Sequence, residues 1–206
     1  MKRIFLLMLL TLALPIATFA NSIDFTDVGG TLSGGNSGLS LSGSTLVEAG
    51  NLVGTLGTVT LSTGALSNGS ITMGGTFAAG GSFVITGNGA DGIDKGTIFN
   101  GTFSGPETWS ELTLSNGTHE YTLSGSMTGT WFTGQKVDGA TVQLTINTGT
   151  GLFNGSTMIS SGDTNIAGHN LRVTPTTTTP EPGSLILFGT GLAGIASVLR
   201  RKYFRA

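Results

Sequence analysis

The chain has 206 residues, 35 of them glycine and none cysteine, with a formal net charge of −2. Without cysteine there is no disulfide framework and no thiolate to act as nucleophile or metal ligand. Charge is unevenly placed: between residues 21 and 179 only Lys95, Lys136 and Arg172 oppose ten acids, a net −7. That excludes nucleic acid as a partner, because phosphate binding needs a basic stripe, and leaves divalent cations and neutral or cationic glycans compatible.

The N-terminus reads as a secretory signal peptide over residues 1–20. Lys2 and Arg3 form a charged region, Ile4 to Leu14 an apolar stretch, and Thr18-Phe19-Ala20 a small-residue cleavage site before Asn21. The apolar stretch is too short for a stable span. This expectation brings in the Sec translocon and signal peptidase as partners and places residues 21–179 outside the cytoplasm.

Residues 21–173 read as one exported β-rich domain. Apolar and polar residues alternate at Leu39–Ser42, Val59–Ser62, Ser70–Met73, Leu112–Ser115, Tyr121–Ser124 and Thr141–Ile146. Period two puts apolar side chains on one face of a strand and hydroxyls on the other, and no helical period is sustained. The expected fold is all-β, an antiparallel sandwich or flattened barrel. An outer-membrane barrel is disfavoured because the strands lack aromatic girdles. Asn-Gly pairs stand at Asn68, Asn88, Asn100, Asn116 and Asn154, and several of these are expected to be hairpin tips, since both residues tolerate positive φ. Gly75-Thr76-Phe77, Gly101-Thr102-Phe103 and Gly129-Thr130-Trp131 echo one another, and a solenoid built on them is the minority reading.

Candidate chemistry is sparse. Gly87–Asp94 fits most of a calcium-binding nonapeptide, but a single copy supplies half the ligands, which favours an acidic glycine-rich loop. His119 and His169 stand 50 residues apart without a metal-ligand pattern. Glu107 with Glu111, or Asp91 with Asp94, would suit glycoside hydrolysis only if the fold set two acids across a cleft. No catalytic residue, metal site or cofactor is assigned, and the domain is expected not to be an enzyme. Trp109, Trp131, Phe132 and Tyr121 read as core more than as sugar platforms. The four Asn-Gly-Ser/Thr sequons are already explained by the hairpins.

Residues 174–179, Thr-Pro-Thr-Thr-Thr-Thr, form an extended linker. Then come Pro180, Glu181 and Pro182, an uncharged apolar run with a membrane helix at about 184–199, and the basic stop Arg200, Arg201 and Lys202. Lys and Arg beside a span stay on the cytoplasmic side, so both ends of the precursor face the cytoplasm. This order of Pro-Glu-Pro, short span and basic tail closely resembles the PEP-CTERM sorting signal of exported bacterial proteins, over residues 180–206 only. The resemblance implies an exosortase as partner, a cut near Pro180-Glu181-Pro182, an inner-membrane-anchored precursor, and a final place at the cell surface or in the extracellular matrix, associated with exopolysaccharide. A carbohydrate-binding module and, less favoured, a secreted glycoside hydrolase are the alternatives.

Overall fold

A computed structural model describes residues 20–169 and 171–173. The chain divides into two units, Met1–Thr174 and Pro175–Ala206, and every described residue lies in the first. The signal peptide before Ala20, the linker, the Pro-Glu-Pro motif, the apolar run and the basic stop lie outside the described residues. Among the described residues no helix is long and apolar enough to cross a membrane.

Twelve strands make one antiparallel sheet: β1 (Ala20–Val28), β2 (Thr31–Gly35), β3 (Gly38–Ala49), β4 (Leu52–Ser62), β5 (Leu66–Ser70), β6 (Gly74–Phe77), β7 (Gly80–Asn88), β8 (Lys95–Phe103), β9 (Glu107–Thr113), β10 (His119–Trp131), β11 (Lys136–Asn147) and β12 (Ser156–His169). The pairing path runs β2-β3-β4-β7-β8-β10-β11-β12 and returns from β12 to β2, so the strands of this circuit are paired on both edges. β1 and β2 share the same two neighbours, β12 and β3. They act as one strand broken at Gly29-Gly30, whose φ values of 69° and 75° are left-handed, and a Cβ on Gly30 would collide with the backbone of Ser42 and Ser44. β8 and β9 likewise follow each other along β10, and β9 carries the short hairpin β5–β6 outward.

The period-two reading holds along the circuit. Leu39 and Leu41, Val59 and Leu61, Tyr121 and Leu123, and Val142, Leu144 and Ile146 are all buried, while the intervening Ser and Thr face outward. Apolar inside and polar outside is the reverse of a lipid-facing barrel. Two predicted strands fall short: Ile71–Met73 is the turn after β5, and β9 ends at Thr113. In both places the chain must reverse, which a local alternation of residue types does not encode.

The Asn-Gly reading holds at two of the five positions. Asn116-Gly117 is a tight turn and Asn88-Gly89 opens the β7–β8 turn, but Asn68 lies in β5, Asn100 in mid-β8 and Asn154 in the loop before β12. At Asn100-Gly101 the glycine serves packing. A Cβ on Gly101 would lie 2.6 Å from Phe99 Cε1, and one on Gly129, its partner in β10, 2.7 Å from Phe99 Cζ. The Phe99 ring lies flat over two glycines, a use of strand glycine that competes with turn formation. The Gly-Thr-aromatic echoes bury Phe77, Phe103 and Trp131 on antiparallel strands, not on coils of a solenoid.

Candidate functional site

A trough of about 590 Å³ runs over the outside of β9, β10, β11, β12 and β1. Its walls are outward side chains brought side by side by the pairing register. One row reads Thr108, Ser124, Gln143, Asp163 and Thr26, each opposite the next. Two residues along, a second row reads Ser126, Thr141, Asn165 and Asp24. At ~4.8 Å between strands the first row, on five strands, is about 19 Å long and the second, on four, about 14 Å.

Chemically the trough is acidic at its β1–β12 end and uncharged elsewhere. Asn165 Nδ2 donates to Asp24 Oδ1 at 2.5 Å, and Thr26 Oγ1 donates to Asp163 Oδ1 at 3.1 Å. The side chains of Ser124, Ser126, Thr141 and Gln143 make no hydrogen bond among the described residues. Among the described residues neither Lys, Arg, Trp nor Tyr lines the trough; Phe25 and Val142 in its floor are buried residues.

Inside the circuit sit two carboxyls. Asp27 is 2% exposed, its carboxylate accepts from the Ser44 hydroxyl, and Gly162 opposite leaves room for it: a Cβ there would lie 2.8 Å from Asp27 Cγ. Burial pushes Asp27 up to about 6 against the lowering effect of Ser44, and the charge of Asp163 adds a smaller upward push. Glu107 is 0% exposed and neither carboxyl oxygen has a hydrogen-bond partner among the described residues. Loss of water raises it to about 7. Trp131 Nε1 and Thr164 Oγ1 are also buried without partners among the described residues.

Glu107 and Glu111 have unlike surroundings. Glu107 and Glu111 lie on one face of β9 with buried Trp109 between them. Four residues of strand put their Cα atoms about 13 Å apart at ~3.3 Å each. Glu111 is instead bonded to His119, whose Nδ1 lies 2.7 Å from Oε1, and it accepts from Thr113 at 2.8 Å. These hydrogen bonds, His119 foremost, hold its carboxyl below the usual range. Asp91 and Asp94 sit in the β7–β8 turn, where Asn88 Oδ1 accepts from the Ala90 N–H and Asp91 has φ of 52°. Among the described residues no group of three or more His, Asp or Glu could hold a metal ion.

Trp109, Trp131 and Tyr121 are core residues, 1%, 2% and 0% exposed, whereas Phe132 is 41% exposed. Trp109 stacks on Tyr121 at 5.1 Å and meets Phe153 edge-on at 5.5 Å. Trp109 Nε1 donates to the Ile71 carbonyl at 2.8 Å and Tyr121 Oη to that of Thr72 at 2.7 Å. Two polar ring atoms thus fix the β5–β6 turn, and no ring of the pair is free to meet a sugar.

Both chain ends of the domain meet. Ala20 pairs with His169, and the Asn21 side chain both donates to the Leu171 carbonyl at 2.9 Å and accepts from its N–H at 3.1 Å. Leu171 and Val173 are buried, and the Val173 carbonyl accepts from Asp94 N at 3.4 Å. The segment 171–173 is therefore packed domain and not linker. The cleavage bond expected between Ala20 and Asn21 falls at the start of β1.

Comparison with known families matches residues 178–202 to the PEP-CTERM protein-sorting motif. The match covers that segment and does not extend over the β domain. No curated protein and no solved structure matches the chain.

Proposed function

We propose that this is an exported, non-enzymatic protein of the cell surface or extracellular matrix, delivered by its C-terminal signal and associated there with exopolysaccharide. The observation that carries the reading is the sorting-motif match at 178–202, which agrees with the Pro-Glu-Pro motif, apolar run and basic stop in the sequence. In this reading the signal peptide takes the chain through the Sec translocon, signal peptidase cuts after Ala20, and the apolar run holds the precursor in the inner membrane. An exosortase then cuts near Pro180-Glu181-Pro182. The prolines keep that segment out of the following helix, so Glu181 is offered to the protease as extended chain.

The domain suits passive residence outside the cell. Its closed pairing, read as a flattened barrel, leaves few open edges to aggregate. Interior acids and stacked rings serve packing, and the Glu111 carboxyl is engaged by His119 and Thr113. The outward trough, rich in hydroxyls and amides, supports the carbohydrate-binding alternative through contacts other than the ring platforms considered from sequence.

Mass spectrometry of the protein from its native host tests the route. A C-terminus near residue 180, lost in a strain without the exosortase, is the expected result. Surface-exposed protein that retains Arg200 to Ala206 overturns it.

A further inference from the structure

We infer that the trough over β9–β12 and β1 is a binding site for an uncharged, hydroxyl-rich polysaccharide strand laid across the β-strands. The inference deepens the matrix reading and rests on it for biological setting, but its physical grounds are local.

Ser124 and Ser126 on β10 and Thr141 and Gln143 on β11 are adjacent in register, and their side chains are not used within the described fold. Their donors and acceptors are held on paired strands with both edges bonded, so little conformational freedom is lost when a ligand engages them. Short hydroxyl and amide side chains on a rigid floor match a ligand that offers alternating O–H donors and oxygen acceptors at close intervals. A peptide strand would need an open sheet edge for its backbone, and the trough is formed by faces of paired strands.

Charge selects further. Asp24 and Asp163 each already accept one hydrogen bond, from Asn165 and Thr26. Among the described residues each keeps Oδ2 free to accept a sugar hydroxyl. With these carboxylates at one end, no cation in the lining and a net −7 over the exported part, a polyanion is repelled. Without an exposed Trp or Tyr in the lining, affinity comes from hydrogen bonds at ring edges. Each contributes little alone, so affinity accumulates over several sugar units along the rows.

Affinity electrophoresis of the protein purified from its native host, through gels holding hydroxyethylcellulose, dextran or alginate, tests this. At least one uncharged polymer should retard the protein and alginate should not. The double variant Thr141→Ala, Gln143→Ala, both exposed positions, should weaken retardation about tenfold, the effect of ~1.4 kcal/mol. Thr60→Ala, on the outer face of β4, should change nothing. Equal retardation by alginate, a folded double variant that binds like the wild type, or no retardation by any polymer overturns the site. The C-terminal mass of the same material reports on sorting separately. A C-terminus near 180 without glycan retardation removes the trough and keeps the route, and retardation with an intact tail does the opposite.

Discussion

Gly125 makes the space that Glu107 occupies. A Cβ added at Gly125 would lie 3.0 Å from Glu107 Cγ and 2.8 Å from Phe103 Cδ1, so the buried carboxyl and the ring both rest on a strand position without a side chain. Gly125→Ala should therefore cost about 1–3 kcal/mol through overpacking, read as a lower urea midpoint at unchanged slope. Gly105→Ala, where an added Cβ meets nothing within 4 Å, should stay within about 0.5 kcal/mol. Equal midpoints for the two variants would remove Glu107 from its assigned place.

Stability should fall as pH rises from about 4 to about 7. Asp27 is raised from 3.8 to about 6 and Glu107 from 4.5 to about 7, so the folded state holds two protons that the unfolded chain has released. Whenever the folded state binds more protons, unfolding becomes easier with increasing pH. The contribution is complete below the unfolded values and gone above the folded ones. For Asp27, a shift of about two units corresponds to about 3 kcal/mol. Asp27→Asn keeps the shape and removes the charge. It should raise the melting temperature at pH 8, leave it little changed at pH 4, and flatten the profile between. A wild-type profile that rises over this range contradicts the assignment of both acids.

Trp109→Ala should lower stability by about 3–5 kcal/mol, since it removes a fully buried ring, its stack on Tyr121 and the hydrogen bond to Ile71. Trp109→Phe keeps the ring packing and loses the donor, and should cost about 1–2 kcal/mol. Protection of amide exchange in β5 and β6 should fall in both, because Ile71 and Thr72 are the points where that hairpin is held. A stable Trp109→Ala protein with unchanged exchange would show the residue to be outside the core.

Much of this fold was legible because the alternation of Leu, Val and Ile with Ser and Thr specifies which face of each strand is wet. The buried acids carried a local sign too: Asp27 continues the inward parity of Ile23 and Phe25, and Glu107 that of Trp109. An acid at an inward position reads equally as a strand end, and only the closing of the circuit over it shows burial. The Asn-Gly pairs mark turns at Asn88 and Asn116, whereas Asn100 lies in mid-strand, since the same dipeptide that permits a type I′ turn also gives an aromatic such as Phe99 a bare strand to lie on. The trough was illegible for a different reason. Its parts come from β1, β9, β10, β11 and β12, up to 141 residues apart, as Asn165 and Asp24 are, and pairing register is not written in any one strand.

The domain should end at Val173 and need its last three residues. Leu171 and Val173 are 1% and 6% exposed, and burying two such side chains contributes about 1.5–3 kcal/mol each. Asn21 adds the two hydrogen bonds that hold Leu171. A chain ending at Val173 should therefore melt close to one ending at Thr179, whereas a chain ending at Asn170 should melt far lower. Asn21→Ala, with Leu171 still present, should lose about 1–3 kcal/mol by leaving the Leu171 backbone unpaired. Exosortase cutting near residue 180 would then leave the packed segment whole, and the processed and unprocessed proteins should share one melting temperature in calorimetry. A processed form that melts many degrees lower would mean that residues beyond Val173 belong to the fold, and would move the domain boundary into the Thr/Pro stretch.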